Sequence, residues 1–251
     1  LALPCEESQL RIVLEGMHAV NCRGLNVTIP HKQTVANICA ELSPLAERLG
    51  AVNTLLPLAK GGWHGTNTDV EGFLAPLGKR ELWQGKKAVV IGCGGSARAV
   101  VAGLQTLQLQ MVHVIGRRAE VLNQFVADLQ QADAPLHAIT DQDPNLRRVI
   151  EAADLVVNTT PVGMAQHGDP SAMPLGNELW EDLPPRAIVY DLIYTPRPTA
   201  WLAQAADRGH LCFDGLEMLV QQGASALRLW SGKQDVPVPT MRLAAEAALG
   251  T

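Results

Sequence analysis

The chain has 251 residues, 47% of them hydrophobic and 18% charged, with a net charge of −5. That balance suits one large globular domain or two modest ones, offers no broad basic field to nucleic acid or an anionic membrane, and contains no apolar run long enough to span a bilayer. The cysteines (Cys5, Cys22, Cys39, Cys93 and Cys212) are odd in number and scattered, which points to reduced thiols in a cytosolic compartment and not to a disulfide framework.

In chain order, Leu10, Val13, Leu14 and Met17 predict an opening helix, and residues 25–29 a strand halted by Pro30. Val35, Ile38, Cys39 and Leu42 then fall at helical spacing and predict a helix over 33–42. Lys32 would stand near its first turn, where a cation opposes the helix dipole by roughly 0.3–1 kcal/mol. Ser43 and Pro44 read as N-cap and first position of a short helix ending at Gly50, and 51–58 as extended chain. Thr68-Asp69-Val70-Glu71 opens another helix with capping-box spacing. After a polar stretch at 78–86, strands at 87–91, 111–115, 155–158 and 188–192 combine with helices at 96–109 and 119–129. Alternation of this kind predicts an α/β fold with parallel sheets, divided near residue 80.

The turn after the strand at 87–91 is the most interpretable local feature. Gly92, Gly94 and Ala97 supply a G-x-G-x-x-A pattern between a buried strand and a helix, and a second strand follows where a βαβ unit needs it. Such glycines let backbone N–H groups approach a pyrophosphate at a helix N-terminus. The second strand ends in Gly116-Arg117-Arg118, with no acid before Glu120. Arginine there suits a 2′-phosphate and favours NADP over NAD, although two solvated loop arginines would read the same way.

Polar residues gather where strands end. Thr28 with Lys32, Asn53 and Asp69 lie on or after candidate strands and turns, the place where open α/β sheets bind ligands. Each has a plain reading too: a strand threonine, a turn asparagine, an acid at a helix start. Lys32 lacks one, and a nearby carboxylate would relieve its misplacement. Tyr194 follows the strand at 188–192, Gln221 and Gln222 lie in the second turn of a helix that starts at Asp214, and 158–164 is a polar loop at the presumed cofactor edge. The seven histidines show no metal-ligand spacing, so no metal is expected.

Seven of these segments, NVTIPHK (26–32), GAVNT (50–54), NTD (67–69), GCGGSAR (92–98), NTTPVGM (158–164), YDLIYTP (190–196) and GLEMLVQQ (215–222), together resemble the shikimate dehydrogenases, in the family's order and near its spacing. The resemblance spans nearly the whole chain. It implies an N-terminal α/β substrate domain at 1–79 and a Rossmann-like NADP-binding domain at 80–214, with C-terminal helices at 215–251 packing back on the substrate domain. It also implies reversible reduction of 3-dehydroshikimate to shikimate by NADPH, on the way to chorismate and the aromatic amino acids. The family's catalytic lysine and aspartate fall on Lys32 and Asp69. Its substrate contacts fall on Thr28, Lys32, Asn53, Asp69, Tyr194 and Gln222. Its cofactor contacts fall on Gly92, Cys93, Gly94, Gly95, Ser96, Arg117, Arg118, Leu192 and Gly215. The only ligands implied are the small-molecule substrate and NADP(H), with no nucleic acid or membrane, for a cytoplasmic monomer or homodimer.

The chain departs from the family in places. The family usually has Asn-Arg-Thr or Asn-Arg-Ser where this chain has Gly116-Arg117-Arg118, and often methionine at Leu192. The family begins with a strand and a Ser-x-Ser loop that holds the substrate carboxylate; the chain starts after both, and the natural protein is expected to have them. A quinate/shikimate dehydrogenase of broader cofactor use, a lysine-dependent folate dehydrogenase and a non-catalytic shikimate-binding paralogue are the competing readings. The paired arginines speak against the first, the NVTIPHK and NTD segments with Gln222 against the second, and retention of Lys32 with Asp69 against the third.

Overall fold

A computed structural model describes residues 2–250. The helix α1 (Leu10–Ala19) buries Leu10 and Leu14 and leaves Ile12 in solvent. The strand β1 (Leu25–Asn26) is shorter than the 25–29 expected. One further bond, from Val27 N–H to the Asn53 carbonyl at 2.8 Å, extends the pairing before Pro30, which has no N–H to give.

The helix expected over 33–42 is mostly absent. The helix α2 (Lys32–Ala36) has five residues and ends at Asn37. The chain then swings into a strand, β2 (Glu41–Leu42), because Ala40 N–H finds the Trp63 carbonyl and Ser43 N–H the Gly65 carbonyl. Sheet pairing thus claims the backbone that the helical spacing had assigned to a helix. One consequence touches Lys32: a helix this short has little dipole to oppose, so the conflict expected there is slight.

The next helix follows the sequence closely. In α3 (Pro44–Leu49), Ser43 Oγ accepts from Ala46 N–H at 3.1 Å, and Gly50 closes the helix in the left-handed region at φ 58°. A hairpin of β3 (Thr54–Pro57) and β4 (Trp63–Thr66) completes a four-stranded sheet in the order β1-β3-β4-β2. Only β2 and β4 run parallel, so the parallel arrangement expected from βα alternation fails in this half. The helix α4 (Asp69–Leu74) follows without the expected capping box: Thr68 Oγ1 is taken by Asn53, and Asp69 N–H bonds Asn67 Oδ1 at 3.0 Å.

The second half alternates as predicted. Its elements are β5 (Lys87–Ile91), α5 (Gly95–Gln105), β6 (Met111–Gly116), α6 (Ala119–Leu129), β7 (Leu136–Thr140), α7 (Leu146–Glu151) and β8 (Leu155–Asn158), then α8 (Asn177–Trp180), β9 (Ile188–Asp191), α9 (Ala200–Asp207) and β10 (Cys212–Phe213). The strands form an all-parallel sheet in the order β10-β9-β8-β5-β6-β7. The direction of winding reverses between β5 and β8, so the loops after those two strands splay apart into a crevice, the ligand site of doubly wound folds. One face of the sheet buries Val90, Val114 and Leu155 with α5 and α6; the other buries Val89, Val156 and Val189 with α7 and α9.

The chain then returns to its first half. The helix α10 (Gly215–Ser231) starts at Asp214, whose side chain accepts from Leu216 N–H at 3.0 Å, and runs against α4. Gly72 permits the close crossing, since a Cβ there would lie 2.6 Å from the Met218 carbonyl oxygen. The final helix, α11 (Val238–Leu249), packs on α10, where Arg242 and Glu217 form a 2.7 Å ion pair. Among the described residues, no helix is long and apolar enough to cross a membrane.

Candidate active site

Lys32 has the carboxylate partner its position asked for. Its Nζ donates to Asp69 Oδ2 at 2.7 Å, with the two side chains 12% and 6% exposed. Asp69 heads α4, where an acid is favourable, and its other oxygen accepts from Asn53 Nδ2 at 2.8 Å. Asn53 is the centre of the cluster. Its Nδ2 also reaches Thr68 Oγ1 at 3.0 Å and Gln222 Oε1 at 3.3 Å, while its Oδ1 accepts from Thr68 N–H at 2.8 Å and Thr54 Oγ1 at 2.9 Å. Four separate segments therefore converge on one buried ion pair, and its charges are hydrogen-bonded as a buried pair requires.

The glycine loop faces Lys32, at the edge of this cluster, in a cleft of about 570 Å³. Ile29, Pro30 and Lys32 form one wall; residues 91–96, 115–118 and 159–162 form the other. Lys32 spans the gap, with Nζ 3.4 Å from Ser96 Oγ and its stem 3.3 Å from where a Gly95 Cβ would sit. Gly92 has φ 104°, and a Cβ there would lie 2.7 Å from Thr159 Oγ1, so glycine is required on both counts. A Cβ on Gly94 would meet nothing within 4 Å, which leaves the start of α5 open to the cleft. Exposed N–H groups at a helix start, with Arg117 and Arg118 exposed on the rim, fit a dinucleotide carrying an extra phosphate.

Residues 1–55 match the shikimate dehydrogenase substrate binding domain, and residues 215–246 the Shikimate 5'-dehydrogenase C-terminal domain. Shikimate dehydrogenase (NADP(+)) of Synechocystis sp. is 48% identical over 97% of this chain and 83% of its own length. The protein of the same name from Prochlorococcus marinus is 42% identical over 96% and 84%. This chain belongs to the shikimate dehydrogenase family. A solved member, shikimate 5-dehydrogenase from Thermus thermophilus in complex with NADP(H) and shikimate, superimposes with a TM-score of 0.82 at 35% identity, over 98% of this chain and 86% of that one.

Against the family's expected site, the structure gathers some residues and leaves others apart. Lys32, Asp69, Asn53 and Gln222 form one hydrogen-bonded cluster with Ser96 at its edge. Thr28 stands outside it, exposed on a neighbouring groove, and Tyr194 is half-buried on the loop after β9. Cys93 turns its thiol toward the core beside Gly116. Leu192 and Gly215 meet each other: a Cβ on Gly215 would lie 2.0 Å from the Leu192 carbonyl oxygen. Sequence reasoning assigned no role to Thr54 or Asn67 and only a helix cap to Thr68, yet all three support Asn53 and Asp69. The density of Asn and Thr in GTNTD was the available signal, since an asparagine two residues before a helix start is a local cap. It also passed over Arg98, one turn into α5, which bonds the Leu49 carbonyl at 3.0 Å and Asp128 at 2.6 Å. That guanidinium ties α5 to the end of α3 and holds the Asp128 carboxyl below its usual range.

Proposed function

We propose that this chain catalyses the reversible NADP-dependent reduction of 3-dehydroshikimate to shikimate, with Lys32 as the acid/base group and Asp69 as its partner. The observation that carries the reading is Lys32, paired with Asp69, facing the glycine loop in one cleft. In this reading, residues 1–79 with 215–251 hold the substrate and 80–214 the nucleotide, serving aromatic amino-acid biosynthesis.

Bound NADPH would supply hydride to the ring ketone, whose oxygen then needs a proton. Lys32 Nζ is the donor that reaches the cleft. Asp69 aims it by accepting one of its hydrogen bonds, and Asn53 in turn fixes Asp69 by holding the other carboxylate oxygen. Asn53 and Gln222 flank the pair and would orient the ring hydroxyls, with Thr28 and Tyr194 as outlying substrate contacts. Gly92 to Ser96 would cradle the pyrophosphate, and Arg117 with Arg118 would hold the 2′-phosphate. The contact of Leu192 with Gly215 would shape the nicotinamide end.

The deciding assay is NADP⁺ reduction with shikimate, then quinate, each repeated with NAD⁺. Turnover with shikimate and NADP⁺ supports the reading; shikimate binding without turnover would overturn it. Arg117→Ala is expected to raise the KM for NADPH roughly tenfold, the worth of one charge-assisted contact, and to leave NADH kinetics nearly unchanged. Equal effects on both cofactors would remove the 2′-phosphate role.

A further inference from the structure

The carboxyl ends of β8 and β9 carry a polar network that this reading leaves without a task. Asp191 closes β9 with its side chain fully buried. Its Oδ1 accepts from Asn158 Nδ2 at 3.0 Å and from Ile193 N–H at 3.2 Å, and its Oδ2 accepts from Thr199 Oγ1 at 2.9 Å. The donors come from β8 and from both ends of the segment at 192–199. Asn158 ends β8 and organises the next loop: its Oδ1 accepts from Thr160 N–H at 3.0 Å and Thr160 Oγ1 at 2.7 Å, and its Nδ2 also reaches the Val162 carbonyl at 3.3 Å. Thr160 and Val162 line the cleft. Ile193 lies between Leu192, which meets Gly215, and Tyr194. Thr199 caps α9 by accepting from Leu202 N–H.

A buried carboxylate is costly, and even three good donors offset that cost only in part. A neutral side chain would hold one or two of these donors without burying a charge. The group sits where the loop at 159–162, which borders the cleft, and the segment after β9 are joined to the sheet. We infer that Asp191 is a positioning residue for the cofactor: its carboxylate locks the loop at 159–162 and the segment at 192–199 into the arrangement that shapes the nicotinamide side of the cleft. The inference rests on the NADP(H) reading above.

The lock titrates. Burial pushes the Asp191 carboxyl up to about 6, the bonds from Ile193, Thr199 and Asn158 pull against that rise, and Asp214 adds to it. Of the surrounding elements, β8 presents the neutral amide of Asn158 and α9 the hydroxyl of Thr199. The start of α10 presents the Asp214 carboxylate, itself paired with Arg197 from the 192–199 segment. The ionised form accepts charge-assisted bonds from all three donors. Protonation removes that charge and turns the Thr199 bond around, with the carboxyl O–H donating to Oγ1, so the bonds weaken and the lock loosens as pH falls through about 6.

The test is NADPH binding by fluorescence titration, without turnover, for wild type and Asp191→Asn between about pH 5 and 8. Wild type is expected to bind more weakly as pH falls through about 6. Asp191→Asn is expected to bind roughly tenfold more weakly near neutral pH and to converge with wild type at the acid end. The cofactor's own 2′-phosphate ionises near pH 6 in both proteins, so the difference between them isolates Asp191. Thr199→Val, which removes one stabilising donor far from the cofactor, is expected to move the wild-type limb to higher pH. Identical titrations for wild type and Asp191→Asn would overturn the inference, as would a lowered Tm with unchanged NADPH affinity. A wild-type protein that does not bind NADPH at all would sink the dehydrogenase reading first and this inference with it.

Discussion

Lys32→Ala is expected to lower kcat by roughly 10²–10⁴-fold, the usual worth of a positioned proton donor, while the Kd for NADPH stays within a few-fold of wild type. The separation follows from where the side chain ends. Nζ is held 2.7 Å from Asp69 and only 3.4 Å from Ser96 Oγ at the edge of the glycine loop, past which the stem runs. Truncation also strands a buried carboxylate, and breaking such a pair from one side costs about 3–5 kcal/mol. Activity could therefore fall through unfolding alone. The double variant Lys32→Ala, Asp69→Asn removes the stranded charge and is expected to recover most of the lost Tm but none of the lost kcat. Steady-state kinetics beside a thermal melt separate the two effects. Near-normal kcat in Lys32→Ala would end the assignment.

Gly215→Ala is expected to be the most destabilising single methyl in the molecule's cleft region. The added carbon would lie 2.0 Å from the Leu192 carbonyl oxygen and 2.5 Å from its carbon. Both are backbone atoms, so no rotamer change relieves the clash. Either the start of α10 or the chain after β9 must move, and both carry neighbours: Gly215 N–H bonds the Ile193 carbonyl at 3.1 Å, and Asp214 caps the helix. Overpacking of this kind commonly costs about 1–3 kcal/mol, and a backbone-to-backbone collision belongs at or above the top of that range. A urea titration should show a clear drop in midpoint with unchanged slope. A wild-type midpoint would mean that the contact relaxes freely. The movement should reach catalysis too, because α10 carries Gln222 to Asn53.

The parts of the fold that were legible from sequence are those whose causes are local. The unit from β5 through α5 to β6 declares itself within thirty residues or so, by an apolar run, glycines and a second apolar run. The helix α3 likewise carries its cap, its first-position proline and its closing glycine in adjacent positions. The failures share the opposite property. Residues 37–42 leave the helical path because Ala40 and Ser43 find carbonyls on β4, more than twenty positions away. Thr68 abandons its capping role because Asn53, just before β3, competes for its hydroxyl. Asp191 stood inside a recognised segment, yet its meaning depends on Asn158 and Thr199, which no local pattern connects to it.

Lys32 shows both sides of this. Its apparent conflict with a helix dipole drew attention to the right residue by an argument the structure weakens, since α2 has only five residues. What sets this lysine apart is that its charge is buried and paired.

The return of α10 also bears on the order in which the parts of the fold are made. Asn53 bonds Gln222, 169 positions later, and the Trp230 indole donates to the Leu55 carbonyl at 3.0 Å. The six-stranded sheet, by contrast, has every strand between residues 87 and 213. A growing chain therefore makes every strand of that sheet before it makes the helix that covers α4. The pair Lys32–Asp69 is encoded early, and the helix that brings Gln222 to Asn53 comes much later. On the proposed function, a chain cut before α10 is expected to lose alignment of the substrate before it loses the strands that would carry the nucleotide.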